Sequence, residues 1–216
     1  MRRPTFFGIA SLIAAGLMCA SSSVRADVLY NTFGPGNSYD NVAGYDIGGA
    51  LGVNQAYAIP FVPTATATVT GATLALALEG GNTQMILSLA SSSNGAPGSI
   101  LNTFTQIGTP GTEPQLIDFD CVGCALLTAG ETYFLIATQS VGSNSAWFFA
   151  NSGAETVYFN ANGTAFGPWT PVEESLPAFD VEGISAGSPV PEPPALLLLA
   201  TGFGALAAGI KLRSRR

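Results

Sequence analysis

The chain has 216 residues, 47% hydrophobic and only 10% charged, with 14 Asp+Glu, 7 Lys+Arg and no histidine. All seven cations lie at the ends: Arg2, Arg3 and Arg25, then Lys211, Arg213, Arg215 and Arg216, so that Ala26–Ile210 contains no Lys, Arg or His. That excludes phosphate-backbone binding by counterion release, Ser-His-Asp and Cys-His catalysis, Schiff-base lysines and arginine-clamped phosphoryl transfer. Paired carboxylates, carboxylate-held calcium, or no chemistry at all remain.

In chain order, the first element is an export signal. Met1–Pro4 carries two arginines, Phe6–Ala20 is apolar, and Val24-Arg25-Ala26 ends the segment with small residues at the positions a signal peptidase reads. A permanent anchor would need about 20 apolar residues, more than this run offers. The expected layout is a signal peptide at 1–26, cut after Ala26, and a domain at 27–188.

Within that domain, short alternating runs are separated by turn signals. Thr66–Leu78 places Leu74, Leu76 and Leu78 on one face, and Gln84–Ala90 repeats this with Met85, Leu87 and Leu89. Thr132–Gln139 is continuously apolar, as in a central strand, and Ser145–Ala150, Thr156–Asn160 and Ala178–Ile184 supply further strands. Gly34-Pro35-Gly36-Asn37, Asn94-Gly95, Ala96-Pro97-Gly98, Ala129-Gly130 and Asn162-Gly163 punctuate them. No internal stretch shows a helical period. The pattern predicts an all-β fold, an antiparallel sandwich or jelly roll.

Three groups of residues are site candidates. Cys121 and Cys124 are the two cysteines that survive signal removal. An oxidising compartment favours a local disulfide; free thiols or a redox or metal role are the alternatives, though two cysteines without histidine fall short of a zinc site. Asp118-Phe119-Asp120 puts two carboxylates on one strand face, the start of a calcium site or a solvated edge. Asp40 and Asp46, in a Gly/Asn-rich loop, form a second calcium candidate. Trp147, Trp169, Tyr39, Tyr45 and Tyr158 are either core or platforms for sugar rings. Trp169, within Gly167-Pro168-Trp169-Thr170-Pro171, is the most loop-like. A glycosidase needs two carboxylates facing across a cleft, and no spacing selects such a pair.

The C-terminal segment mirrors the first. Ala195–Ile210 is sixteen uncharged residues followed at once by Lys211-Leu212-Arg213-Ser214-Arg215-Arg216. As a helix it spans about 24 Å, at the short limit for a bilayer. The basic tail stays cytoplasmic by the positive-inside rule, leaving the domain outside. Immediately before it stands Val190-Pro191-Glu192-Pro193-Pro194. Pro-Glu-Pro, a short apolar span and an Arg-rich end, in that order, resemble the PEP-CTERM sorting signal of Gram-negative bacteria, here covering 189–216. The resemblance implies processing by an exosortase-type membrane enzyme near Pro-Glu-Pro, and association with exopolysaccharide and biofilm matrix.

A looser resemblance covers most of the domain. Val28-Leu29-Tyr30-Asn31-Thr32-Phe33-Gly34-Pro35-Gly36, Gly44–Gly49, Leu126–Tyr133, Ala146-Trp147-Phe148-Phe149 and Ala178–Gly183 are similar to the choice-of-anchor R domain, a secreted module found with alternative C-terminal anchors. It implies a fold and a location and carries no catalytic residues. The expected protein is therefore exported, non-catalytic, without a cofactor unless calcium binds, first in the inner membrane and then at the cell surface or in the matrix, with no nucleic-acid partner. A glycan-binding module, with or without calcium, is the alternative, and a carboxylate glycosidase a third.

Overall fold

A computed structural model of the chain describes residues 26–49, 54–140 and 142–185. Residues 1–25 of the expected signal peptide and the whole of the expected 189–216 sorting segment, with its 195–210 span, lie outside the described residues.

Thirteen strands follow one another: β1 (Asp27–Asn31), β2 (Gly44–Gly48), β3 (Ala56–Phe61), β4 (Ala67–Gly80), β5 (Met85–Ser93), β6 (Ala96–Thr103), β7 (Thr105–Ile107), β8 (Gln115–Asp120), β9 (Leu126–Leu127), β10 (Tyr133–Gln139), β11 (Asn144–Asn160), β12 (Thr170–Pro177) and β13 (Phe179–Ser185). Every pairing between them is antiparallel. Among the described residues the only helical turn is a 3-10 segment at Pro35–Asn37, and no helix is long and apolar enough to cross a membrane. The fold is all-β and antiparallel.

Two long strands organise it. β4 takes β13 and then the first part of β11 along one flank, and β8 and β9 along the other. β11 pairs with β2 and β4 through Asn144–Phe148, then with β12 and β3 through Ala154–Asn160. The register shifts between Phe149 and Ala154, where Gly153 adopts φ 108°. Only glycine enters that conformation cheaply, so the interruption falls where the sequence permits it. One group thus contains β1, β13, β4, β9, β8 and β7 with β2 alongside; the other runs β12-β11-β3-β10-β5-β6.

A single main core joins residues from both groups. Leu29, Ile47, Leu74, Leu76, Phe119, Trp147 and Phe179 meet Ile59, Phe61, Leu87, Leu89, Leu135 and Val157. Strand alternation explains the membership: in β5, Met85, Leu87 and Leu89 point inward while Ile86 is exposed. β10 and the Leu74–Ala77 part of β4 are buried on both faces, which is why β10 reads as a continuous apolar run and Leu74–Ala77 holds no polar residue. On β4, Ala75 and Ala77 join Phe33, Ala146, Phe148 and Ala178 in a second cluster; on β10, Phe134 and Ile136 join Ala58 and Ala90 in a third. Trp147 is fully buried, its indole N–H donating to Ala178 O at 3.0 Å. That bond removes the desolvation cost a buried indole would otherwise carry.

Two local expectations are corrected. Ser145–Ala150 and Thr156–Asn160 are halves of one strand, β11, because the polar Asn151–Glu155 stretch between them stays extended as it passes from one partner set to the other. Ala96-Pro97-Gly98 is the start of β6 and not a turn: Asn94-Gly95 alone makes the reversal, at φ 52° and 81°, a hairpin geometry those two residue types favour. β6 ends the strand order, and an edge strand tolerates a proline. The domain's own ends meet. Asp27 lies opposite Gly183, and the Ser185 hydroxyl donates to the Asp27 carboxylate at 3.0 Å.

Candidate functional site

The densest set of polar groups with chemistry to offer is a ladder of carboxylates across β13, β4 and β8. Asp180 lies opposite Thr73, and Thr73 opposite Asp118; Glu182 lies opposite Gly71, and Gly71 opposite Asp120. Residues directly opposite on neighbouring strands share a face, so four carboxylates form two rows with a threonine and a glycine between them. Thr73 grips one row from both sides. Its backbone N–H donates to Asp180 Oδ1 at 3.0 Å, and its hydroxyl to Asp118 Oδ1 at 2.9 Å.

Asp118 and Asp120 are exposed while the intervening Phe119 is buried, as the alternation predicts. Asp180 is 7% exposed, and its pKa is pushed up to about 6. Burial is the main cause; the Thr73 N–H opposes it, and the Glu182 and Asp118 charges add to it. Asp118-Phe119-Asp120 was a sequence candidate, but Asp180 and Glu182 were not. The same acid-x-acid spacing in Asp180-Val181-Glu182 was the available signal. A second carboxyl pair joins Asp46 on β2 and Glu79 on β4. The Glu79 pKa is raised first by burial and then by Asp46, and its carboxylate accepts a hydrogen bond from Asn144 Nδ2 at 2.5 Å.

Asp118 and Asp180 lie side by side on the sheet and share Thr73 as a hydrogen-bond donor. Among the described residues no three Asp, Glu, Cys or His side chains converge on one metal position. Asp40 is used locally, accepting the Val42 N–H at 2.8 Å, whereas Asp46 is not in a loop as expected but on β2, paired opposite Ala146, where it faces Glu79.

Cys121 and Cys124 close a short turn between β8 and β9. Their Cα atoms are 5.6 Å apart, a separation a disulfide spans, and both residues are buried beside Phe119 and Leu127 in the main core. Val122 between them is 98% exposed, and Gly123 takes φ 71°.

The aromatic candidates separate. Trp147 and Tyr45 are core; Tyr45 stacks on Tyr57 at 4.1 Å. Tyr39 packs on the second cluster, and Tyr158 on the third, its hydroxyl donating to Gly95 O at 2.7 Å. Trp169 is half-buried against the same third cluster. Phe166, three residues earlier and not foreseen, is 87% exposed. The sorting-motif residues Val190, Pro191, Glu192 and Pro193 and the basic tail Lys211, Arg213, Arg215 and Arg216 lie outside the described residues; Ala26 directly precedes β1.

No family model matches the chain, and no curated protein is significantly similar to it.

Proposed function

We propose that the chain is an exported, non-catalytic envelope or matrix protein. An all-β sandwich domain would be held first by the C-terminal span and then released by exosortase-type processing at Val190–Pro193. The observation that carries this reading is the placement of every cation beside one of two terminal apolar segments, with none from Ala26 to Ile210. Export and membrane orientation use such flanking charges. The two strand groups sharing one core support the sandwich. The meeting of Asp27 with Gly183 and Ser185 supports a domain whose two ends emerge together. In the exported state Cys121 and Cys124 form a disulfide, the oxidised state their compartment favours.

Fractionation of producing cells, with intact mass of the recovered protein, tests this. The expected protein starts at Asp27, is found in envelope or medium, and has no alkylatable thiol before reduction. Truncation before Lys211 is expected to leave the Pro-Glu-Pro site uncut. Recovery from the cytoplasm with Met1–Ala26 still attached would refute the proposal.

A further inference from the structure

We infer that the outer side of β3, β10, β5 and β6, with the 161–169 loop laid over it, binds a neutral glycan, and that Phe166 is its stacking platform. The first observation is electrostatic. The four strands contain no charged residue, and neither does the loop, Ala161-Asn162-Gly163-Thr164-Ala165-Phe166-Gly167-Pro168-Trp169. The neighbouring strand group carries Asp27, Asp46, Glu79, Asp118, Asp120, Asp180 and Glu182. These strands and the loop are thus an uncharged patch, bounded within the same strand group by Glu155 on β11 and by Glu173 and Glu174 on β12.

The second observation is the build of the loop. A single exposed phenyl group means little by itself. Here the loop presenting it is pinned at several points. Asn160, 1% exposed, donates to Thr164 O at 2.9 Å and accepts the Asn162 N–H at 2.8 Å. Ala165 and Trp169 pack on the cluster of Ala58, Ala90, Phe134 and Ile136. Phe166 lies between these two anchors and still faces water. Gly167 sits against the indole edge, where an added Cβ would come within 3.4 Å of Trp169 Nε1. Among the described residues no hydrogen bond uses that N–H, and it is not a buried unsatisfied group. An exposed ring on an anchored loop, with the unengaged Trp169 indole N–H on the same loop, matches a pyranose, which offers a C–H face to a ring and hydroxyls to a polar group.

Charge decides between glycans. With 13 carboxylates and no cation between Asp27 and Ser188, the domain repels acidic polymers at every approach. A neutral hexose polymer pays no such penalty on the uncharged patch. The inference rests on the exported, non-catalytic reading only for where the ligand is met, because binding is measured on purified protein and export on cells.

The test is affinity electrophoresis of the full chain, in non-ionic detergent, through gels containing dextran, galactomannan or hydroxyethylcellulose, with alginate as the acidic comparison. At least one neutral gel is expected to retard the protein and alginate not to. Phe166→Ala is expected to weaken binding about tenfold or more with an unchanged melting temperature, whereas Phe166→Tyr, which keeps the ring, retains it. Migration unaffected by all three neutral polymers, equal retardation of the Phe166→Ala protein, or retardation by alginate alone would each overturn the inference.

Discussion

Asp180 is the residue whose ionisation the fold opposes most clearly. Burial raises its pKa to about 6 against an ordinary 3.8, with Glu182 on its own strand and Asp118 on β8 adding to the effect. The folded protein therefore holds this proton over a range where the unfolded chain has released it. Its contribution is fully present below about pH 4 and is lost as pH rises through about 6. Glu79, raised by burial and Asp46, acts in the same direction. Melting temperature is expected to fall as pH goes from 4 to 7. Asparagine at 180 keeps an acceptor for the Thr73 N–H but never ionises. Asp180→Asn is thus expected to stabilise the protein at pH 7.5 by on the order of 1 kcal/mol and to do nothing comparable at pH 4. Thermal melts across that range would show a flatter profile for the variant, and superimposable profiles would contradict the assignment.

At the scale of elements, backbone proximity and cross-strand charge decide what can change. β2 lies so close to β11 that a Cβ at Gly44 would come within 2.8 Å of Phe148 Cα. Backbone cannot give way as a side-chain tip can, so Gly44→Ala is expected to cost about 1–3 kcal/mol, read as a lower midpoint in denaturant melts. β12 poses the opposite case. Its Glu174 stands directly opposite Glu155 of β11, both exposed, and like charges so placed destabilise a sheet. Glu174→Lys converts the pair and is expected to raise stability by about 0.5 kcal/mol, an increment that Glu155→Gln in the same protein should abolish. The same elements show what could be read from sequence. Alternation located the inward faces of β4 and β5, and the apolar run located β10, because burial writes itself into residue spacing. The joining of two runs into β11 was not legible, since a polar stretch looks alike in a loop and in a strand changing partners. The carboxylate ladder was half legible: Asp118 and Asp120 share a strand, but their neighbours Asp180 and Glu182 arrive through pairing sixty residues away. Trp169 drew attention as a loop tryptophan, yet the packed third cluster takes one side of it and leaves Phe166 as the exposed ring.

For the whole molecule, the distribution of charge has a consequence that ordinary proteins do not share. Salt usually acts both ways, weakening attractive ion pairs as well as repulsions. From Asp27 to Ser188 there is no side-chain cation, so no attractive side-chain ion pair exists for salt to weaken, and interactions among the 13 carboxylates are all repulsive. Compaction brings these groups together, and self-repulsion of this kind works against the folded state. Raising ionic strength from 0.01 to 0.15 M shortens the screening length from about 30 to about 8 Å. Melting temperature of the full chain in non-ionic detergent at pH 7.5 is therefore expected to rise by about 5 °C over that interval, with sodium and potassium equivalent. At pH 4, where the carboxyls take up protons, the rise should shrink. A flat or falling melting temperature at pH 7.5 would mean that repulsion among these carboxylates does not govern the stability of this domain.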